Sequence, residues 1–401
     1  MLNSEQEYIA RRREQAEKLS EQYRKAWNKY PINKGKVTFS AFEGDGGFCC
    51  NPRYIAEELH KRHPEYEIVW LTKNTNKVFP EYIKVYEYND DNMVYHLSTS
   101  EVWVDNYRKP WGTLKREGQL YIQTWHASLG FKAVGLYRGD LFPEIARIVS
   151  EADSALADYF ISNSDYCDRV YPKKLLYSGP TLRSGSPRVD CLINKKKVIN
   201  DLVRERYGID CDVKLVLYAP TFRGGNQKGK KEVIAEAPNI DFDMLTNNLH
   251  DKYGGEWKVL LRLHPQLAAK LSKMPINFND INNLIDVSQA DDISEIMCAC
   301  DLVITDYSSC AFDALFSGIP VILFADDIED YIENRGKFMW KEEELPFLIS
   351  KTNSELAYAI KEFDKEVYLK TAYKFMEEHG IVEDGNASKR IVDKIENYIN
   401  R

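Results

Sequence analysis

Apolar residues fall in short unbroken blocks along most of the chain, and each block gives way to small or polar residues. Val37-Thr38-Phe39-Ser40 comes first, followed by a glycine-rich turn at 44–47. Ile68-Val69-Trp70-Leu71-Thr72, Val102-Trp103-Val104, Leu120-Tyr121-Ile122-Gln123 and Tyr159-Phe160-Ile161-Ser162 continue the series. A second series begins near residue 213: Leu215-Val216-Leu217-Tyr218, then 259–263, 284–287, Leu302-Val303-Ile304-Thr305 and Val321-Ile322-Leu323-Phe324. Continuous rather than alternating runs predict strands covered on both faces, as in a parallel sheet. Helical segments between them, such as the one opened by Asn51-Pro52, predict crossover connections. The expected fold is α/β, with two Rossmann-like domains facing a cleft. An N-terminal helix (1–31), a first domain (32–185), a second domain (186–375) and a C-terminal helix packing back on the first (376–401) complete the reading. The stretch at about 179–200 is rich in Gly, Ser, Pro and Lys and reads as an interdomain linker; 224–231 reads as a mobile loop.

Near the N-terminus, Ile9, Ala16, Leu19, Tyr23, Ala26 and Tyr30 recur at helical spacing until Pro31 ends the helix. Arg11, Arg12, Arg13, Lys18, Arg24, Lys25 and Lys29 make it locally basic. Two readings stand: a helix lying on an anionic membrane surface or on a partner, or a solvated helix docked on the body of the protein. The two halves also echo each other. Residues 91–107 lie over 291–307 without a gap, which sets Asn106 over Asp306, as two similarly wound domains would.

Composition narrows the classes. The 401 residues are 44% hydrophobic and 29% charged, suiting two soluble domains rather than one core. The net charge of −8 argues against a nucleic-acid coat. No apolar run reaches the ~20 residues of a membrane span. The eight cysteines lack zinc-ligand spacing and read as reduced packing residues of a cytoplasmic protein.

Four strand ends carry polar clusters. His126, in Gln123-Thr124-Trp125-His126, stands where a general base would, or else is a structural histidine bonded to backbone. Thr221 and Arg223 offer a hydroxyl and a guanidinium to phosphate oxygens, unless Arg223 is a surface residue in a turn. His264, in Leu263-His264-Pro265, is a second donor candidate. Asp306, Ser308 and Ser309 end a buried run just before a helix, where unsatisfied amides and the dipole favour a phosphate. Walker, nucleophile-elbow, zincin and kinase signatures are absent from the sequence.

Taken in order, these motifs resemble the CDP-glycerol glycerophosphotransferase family, the teichoic-acid primases and polymerases, over roughly residues 35–395. Further motifs of the resemblance are Ile161-Ser162-Asn163-Ser164, Gly185-Ser186-Pro187-Arg188-Val189-Asp190, Arg335-Gly336 and Asp384-Gly385-Asn386-Ala387-Ser388. The resemblance implies a GT-B-like fold and transfer of glycerol phosphate from CDP-glycerol to a lipid-linked teichoic-acid-like or capsular polymer, releasing CMP. It implies His126 as the base, with His264 and Arg223 stabilising the pyrophosphate and departing CMP. It places Ser308, Ser309 and Ser388 on phosphates, with Thr221 and Arg335 in the substrate site and Asp306 orienting the groups. It implies no metal or cofactor beyond the donor substrate, no nucleic-acid partner, and a peripheral position on the cytoplasmic membrane face. Where many members have Gly-Thr-Pro after the histidine, this chain has Ala127, Ser128 and Leu129. Alternatives are a CDP-ribitol ribitolphosphotransferase, a GT-B nucleotide-sugar glycosyltransferase, and a non-catalytic nucleotide-binding member.

Overall fold

The computed structural model describes residues 4–221, 224–226, 230–233, 239–263, 283–335 and 337–401. Two compact units emerge. Unit 1 comprises Met1–Ser128, Val134–Asp190 and Val382–Arg401; unit 2 comprises Leu129–Ala133 and Cys191–Ile381.

Unit 1 holds seven strands: β1 (Asn33–Ser40), β2 (Glu67–Thr72), β3 (Ile83–Glu87), β4 (Ser100–Asp105), β5 (Leu120–Gln123), β6 (Tyr159–Ser162) and β7 (Thr181–Arg183). They form one sheet in the order β3-β2-β1-β4-β5-β6-β7, and every pairing is parallel. The central strands are buried almost residue by residue, which is why they read as unbroken apolar runs. One face packs Phe39, Ile55, Leu59, Trp70 and Val104 with Ile391, Ile395 and Ile399 of the last helix, Ala387–Ile399. On the other face, Val69, Leu71, Trp103 and Tyr121 meet Leu19, Tyr23 and Ala26 of the N-terminal helix, Ser4–Lys29. Its regularly spaced apolar residues are therefore spent on the protein's own core, with Tyr23 fully buried. The docked reading of this helix is the one observed, and its narrow apolar face is not left open.

Unit 2 repeats the plan. After β8 (Lys214–Ala219), the strands are β9 (Gly224–Asn226), β10 (Lys230–Val233), β11 (Trp257–Leu261), β12 (Leu284–Asp286), β13 (Leu302–Thr305), β14 (Val321–Phe324) and β15 (Leu348–Ser350). Its main sheet is parallel in the order β12-β11-β8-β13-β14-β15. In both units the first strand sits between the second and the fourth, which makes a crevice at the carboxyl ends of β1 and β4, and of β8 and β13. The α/β fold with two Rossmann-like sheets is thus the one the apolar runs predict.

Several local readings need correction. The stretch expected as a linker is folded: it contains β7 and the helices Pro187–Asn194 and the start of Lys196–Tyr207. Its Gly, Ser and Pro residues serve turns and a helix start rather than flexibility. In the segment at 224–231 expected as a mobile loop, 224–226 pair with 230–233 as the antiparallel strands β9 and β10, while 227–229 lie outside the described residues. The short or half-exposed strands β3, β7 and β15 gave no apolar run long enough to see.

Candidate active site

In unit 1 the polar residues gather at the β1–β4 crossover. Asp105, the last residue of β4, accepts from Ser40 at the end of β1 and pairs with buried Lys109 at 2.5 Å. Asn106 then turns its side chain to the neighbouring loop: its Oδ1 accepts from the Phe42 amide at 2.7 Å. Its backbone carbonyl accepts from Nδ1 of His126 at 3.0 Å. A carbonyl only accepts, so this bond fixes the proton of the neutral ring on Nδ1 and leaves the Nε2 lone pair free of it.

His126 follows β5 through Trp125, whose φ of 50° is costly for a bulky residue. The turn is held by Gln123, whose side chain accepts from the Trp125 amide at 2.9 Å, and by Asn51, whose Nδ2 donates to the Trp125 carbonyl at 3.0 Å. Aromatic rings frame the imidazole: Trp125 at 4.5 Å, Phe42 at 5.6 Å and Tyr107 at 5.8 Å. The ring itself stays half-buried. Burial, with the nearby charges of Arg188, Lys174 and Arg108, pulls its pKa down to about 4 against the Asn106 carbonyl. The imidazole is therefore neutral at physiological pH, with the Nε2 lone pair unprotonated.

In unit 2 the equivalent crossover joins Thr221 and Asp306. Both Asp306 oxygens accept from the Thr221 amide at 2.9 Å, and Oδ1 also takes the Thr221 hydroxyl at 2.8 Å and the Tyr307 amide at 2.5 Å. The carboxylate ties the ends of β8 and β13 together. Ser308 and Ser309 follow, half-buried, at the start of helix Cys310–Phe316. The Ser308 hydroxyl lies 3.5 Å from the Cys310 amide, while Ser309 makes no side-chain cap. Tyr307 closes the same corner, its hydroxyl donating to Asp327 at 3.0 Å and its ring against Tyr331 and Phe338. Thr221, Asp306, Ser308 and Ser309 are thus brought to one crevice end. Arg335 ends helix Ile328–Arg335, and its side chain, like all of Arg223 and His264, lies outside the described residues.

Ser388 belongs to unit 1, at the start of helix Ala387–Ile399. There the Asp190 carboxylate accepts from the Ala387 amide at 3.0 Å and the Ser388 amide at 2.8 Å. The helix-end donors expected to meet a phosphate are occupied by a carboxylate of the same chain. Residues that sequence reasoning left out of the site are Asn51, Asn106, Lys174 and Arg188. Arg188 had a signal in the motif at 185–190, and Asn106 had one in its place over Asp306 in the 200-residue echo; Asn51 and Lys174 had none. Among the described residues, no three His, Cys, Asp or Glu side chains gather as a metal-ligand set. No described helix is long and apolar enough to cross a membrane.

Residues 21–397 match the family described as CDP-Glycerol:Poly(glycerophosphate) glycerophosphotransferase. The teichoic acid poly(glycerol phosphate) polymerase of Bacillus subtilis (strain 168) is 29% identical over 380 residues, covering 92% of this chain and 49% of that protein. The chain thus spans about half the length of that relative. The teichoic acid glycerol-phosphate transferase of Staphylococcus aureus (strain NCTC 8325 / PS 47) is 29% identical over 383 residues, covering 90% of this chain and 93% of that protein. A solved structure of the wall teichoic acid polymerase TagF is 29% identical with a TM-score of 0.78, covering 92% of this chain and 90% of that one.

Proposed function

Because the chain belongs to the CDP-glycerol:poly(glycerophosphate) glycerophosphotransferase family, we propose that it transfers glycerol phosphate from CDP-glycerol to a lipid-linked teichoic-acid-like or capsular polymer, releasing CMP. The observation that carries the mechanism is the His126–Asn106 bond, which leaves Nε2 as the proton acceptor. The acceptor hydroxyl oxygen attacks the phosphorus that bears glycerol. The bond from that phosphorus to the bridging oxygen breaks, CMP leaves with that oxygen, and the hydroxyl proton passes to Nε2 of His126. Such a transfer rests on alignment and on positive or hydrogen-bonding groups around the phosphoryl oxygens.

Ser308 and Ser309 are assigned to the donor phosphates, with Arg223, His264 and Arg335 joining them on the family resemblance, while Thr221, whose amide and hydroxyl both donate to Asp306, shapes the crevice wall beside them. Asp306 sets the crevice through its bonds to Thr221 and Tyr307 rather than by contact with substrate. Ser388 is assigned to helix packing, its amide closed by Asp190. The enzyme works without a resident metal or cofactor, at the cytoplasmic face of a membrane. Attachment there is electrostatic, through exposed Arg11, Arg13, Lys18, Arg24, Lys25 and Lys29 on the docked N-terminal helix.

The test is CMP release from CDP-glycerol with a lipid-linked glycerol-phosphate acceptor. His126→Asn keeps a donor for the Asn106 carbonyl but no base, so turnover should fall by about 10²–10⁴-fold while CDP-glycerol still binds. Wild-type turnover by that variant would remove the assignment of the base. Running CDP-ribitol and UDP-sugars in parallel decides the alternatives, since a preference for either would replace the donor named here.

A further inference from the structure

The carbonyls of five consecutive residues through the His126 turn all accept from side chains; three buried residues together reach all five, while Thr124 Oγ1 adds a bond to the Trp125 carbonyl at 3.1 Å and Cys167 Sγ one to that of Ser128 at 3.3 Å. Asn51 donates to the Trp125 carbonyl at 3.0 Å and reaches that of Thr124 at 3.4 Å. Arg188 donates to the His126 carbonyl. Lys174 donates to those of Ser128 at 2.9 Å and Ala127 at 3.3 Å. Asn51 and Arg188 are themselves joined, the Arg188 amide donating to Asn51 Oδ1 at 3.1 Å.

Lys174 is the telling member. Its side chain is almost wholly buried, yet among the described residues it pairs with no carboxylate. A buried cation without a counter-charge is costly, and burial lowers its proton affinity. It is held in place from both sides. It ends helix Asp165–Lys174, and its carbonyl abuts Gly135, where a Cβ would come within 2.4 Å of it. A φ of +60° at Gly135 further restricts that position to glycine. Ser128 is also the last residue before the chain leaves unit 1, since Leu129–Ala133 belong to unit 2. The lysine therefore grips the turn at its exit.

We propose that Asn51, Arg188 and Lys174 are positioning residues for the transfer: together they fix the 124–128 backbone and so the aim of His126 Nε2, without touching substrate. The inference rests on His126 being the base. Within Ala127-Ser128-Leu129 only the Ser128 hydroxyl, 2.8 Å from that of Ser186, anchors the turn by side chain, and the strained Trp125 needs a further hold. The charges acting on the imidazole are Arg188, Lys174 and Arg108, so removing one also makes the ring easier to protonate.

The experiment uses the full chain with Lys174→Met and, in parallel, Asn51→Asp, which keeps an acceptor for the Arg188 amide but cannot donate. Folding is checked by thermal melting. Each variant should lose about 10- to 100-fold in kcat, with KM for CDP-glycerol within about 3-fold of wild type, and the acid limb of its pH–rate profile should move to higher pH. Unchanged kcat in the folded variants overturns the proposal, as does a kcat loss with the acid limb unmoved. Should Lys174→Met fail to fold, Asn51→Asp decides alone. His126→Asn separates the two claims. If it is inactive while both variants turn over normally, only the positioning role fails; if it is active, the base reading fails and takes the positioning role with it.

Discussion

At the scale of single residues, the proposed transfer depends on which nitrogen of His126 carries the proton, and the bond to the Asn106 carbonyl puts it on Nδ1. The depressed pKa sets a sign for pH dependence. Folding favours the neutral ring, so kcat/KM should be flat through neutral pH and fall only as pH drops toward about 4. A profile whose acid limb lies near pH 6.5 would instead report an unperturbed histidine. The same depression links to stability. Between the unfolded value near 6.5 and about 4, the unfolded chain binds more protons, so this contribution is present above that window and is lost as pH falls through it. The position of His126 was legible in the sequence because a polar residue closing a buried run is conspicuous. Its partners were not. Lys174 lies 48 positions later in a helix, and no local pattern shows which carbonyl a buried lysine will meet.

At the scale of elements, the central strands were legible because both of their faces are buried, and β5, β6, β13 and β14 coincide with the apolar runs read from the sequence. Of the edge strands, β12 was read at 284–287, but β3, which exposes much of its length, and β7 and β15, which span three residues each, were not. Helix ends were legible as places for an anion, but not which anion. At Ala387–Ile399 it is Asp190, and Asp190→Ala should lower stability by about 1–2 kcal/mol, read from denaturant melts, with little change in donor KM. A large rise in donor KM at unchanged stability would return this helix end to the substrate site. The Asp306 tie predicts the opposite balance. Asp306→Ala strips acceptors from two amides and a hydroxyl, so it should both destabilise by about 2–4 kcal/mol and raise the donor KM by loosening Thr221 and Ser308.

At the scale of the whole molecule, two similarly wound sheets account for the length of the chain and for the paired series of apolar runs. The N-terminal helix is part of unit 1 rather than an appendage. Removing residues 1–31 uncovers Trp103 and Tyr121 and loses the burial of Leu19 and Tyr23, so stability should drop by about 3–6 kcal/mol. Truncation is therefore a poor probe of membrane binding. Replacing Arg11, Arg13, Arg24 and Lys25 with glutamine should leave the melting curve near wild type. It should also weaken sedimentation with phosphatidylglycerol vesicles, an effect that added salt should mimic. Vesicle binding unaffected by both would end the electrostatic account.

The two crossover points differ by one chemical group. In unit 1 Asn106 accepts the amide of Phe42, two residues past the end of β1; in unit 2 Asp306 accepts the amide of Thr221, two residues past the end of β8. The strand registers leading to them also agree, with Ser40 opposite Asp105 and Ala219 opposite Thr305. The offset of 200 residues seen in the sequence is thus a shared joint. Since the two joints differ only in an amide against a carboxylate, Asn106→Asp and Asp306→Asn should each fold, with the loss appearing in kcat or KM rather than in the melting temperature.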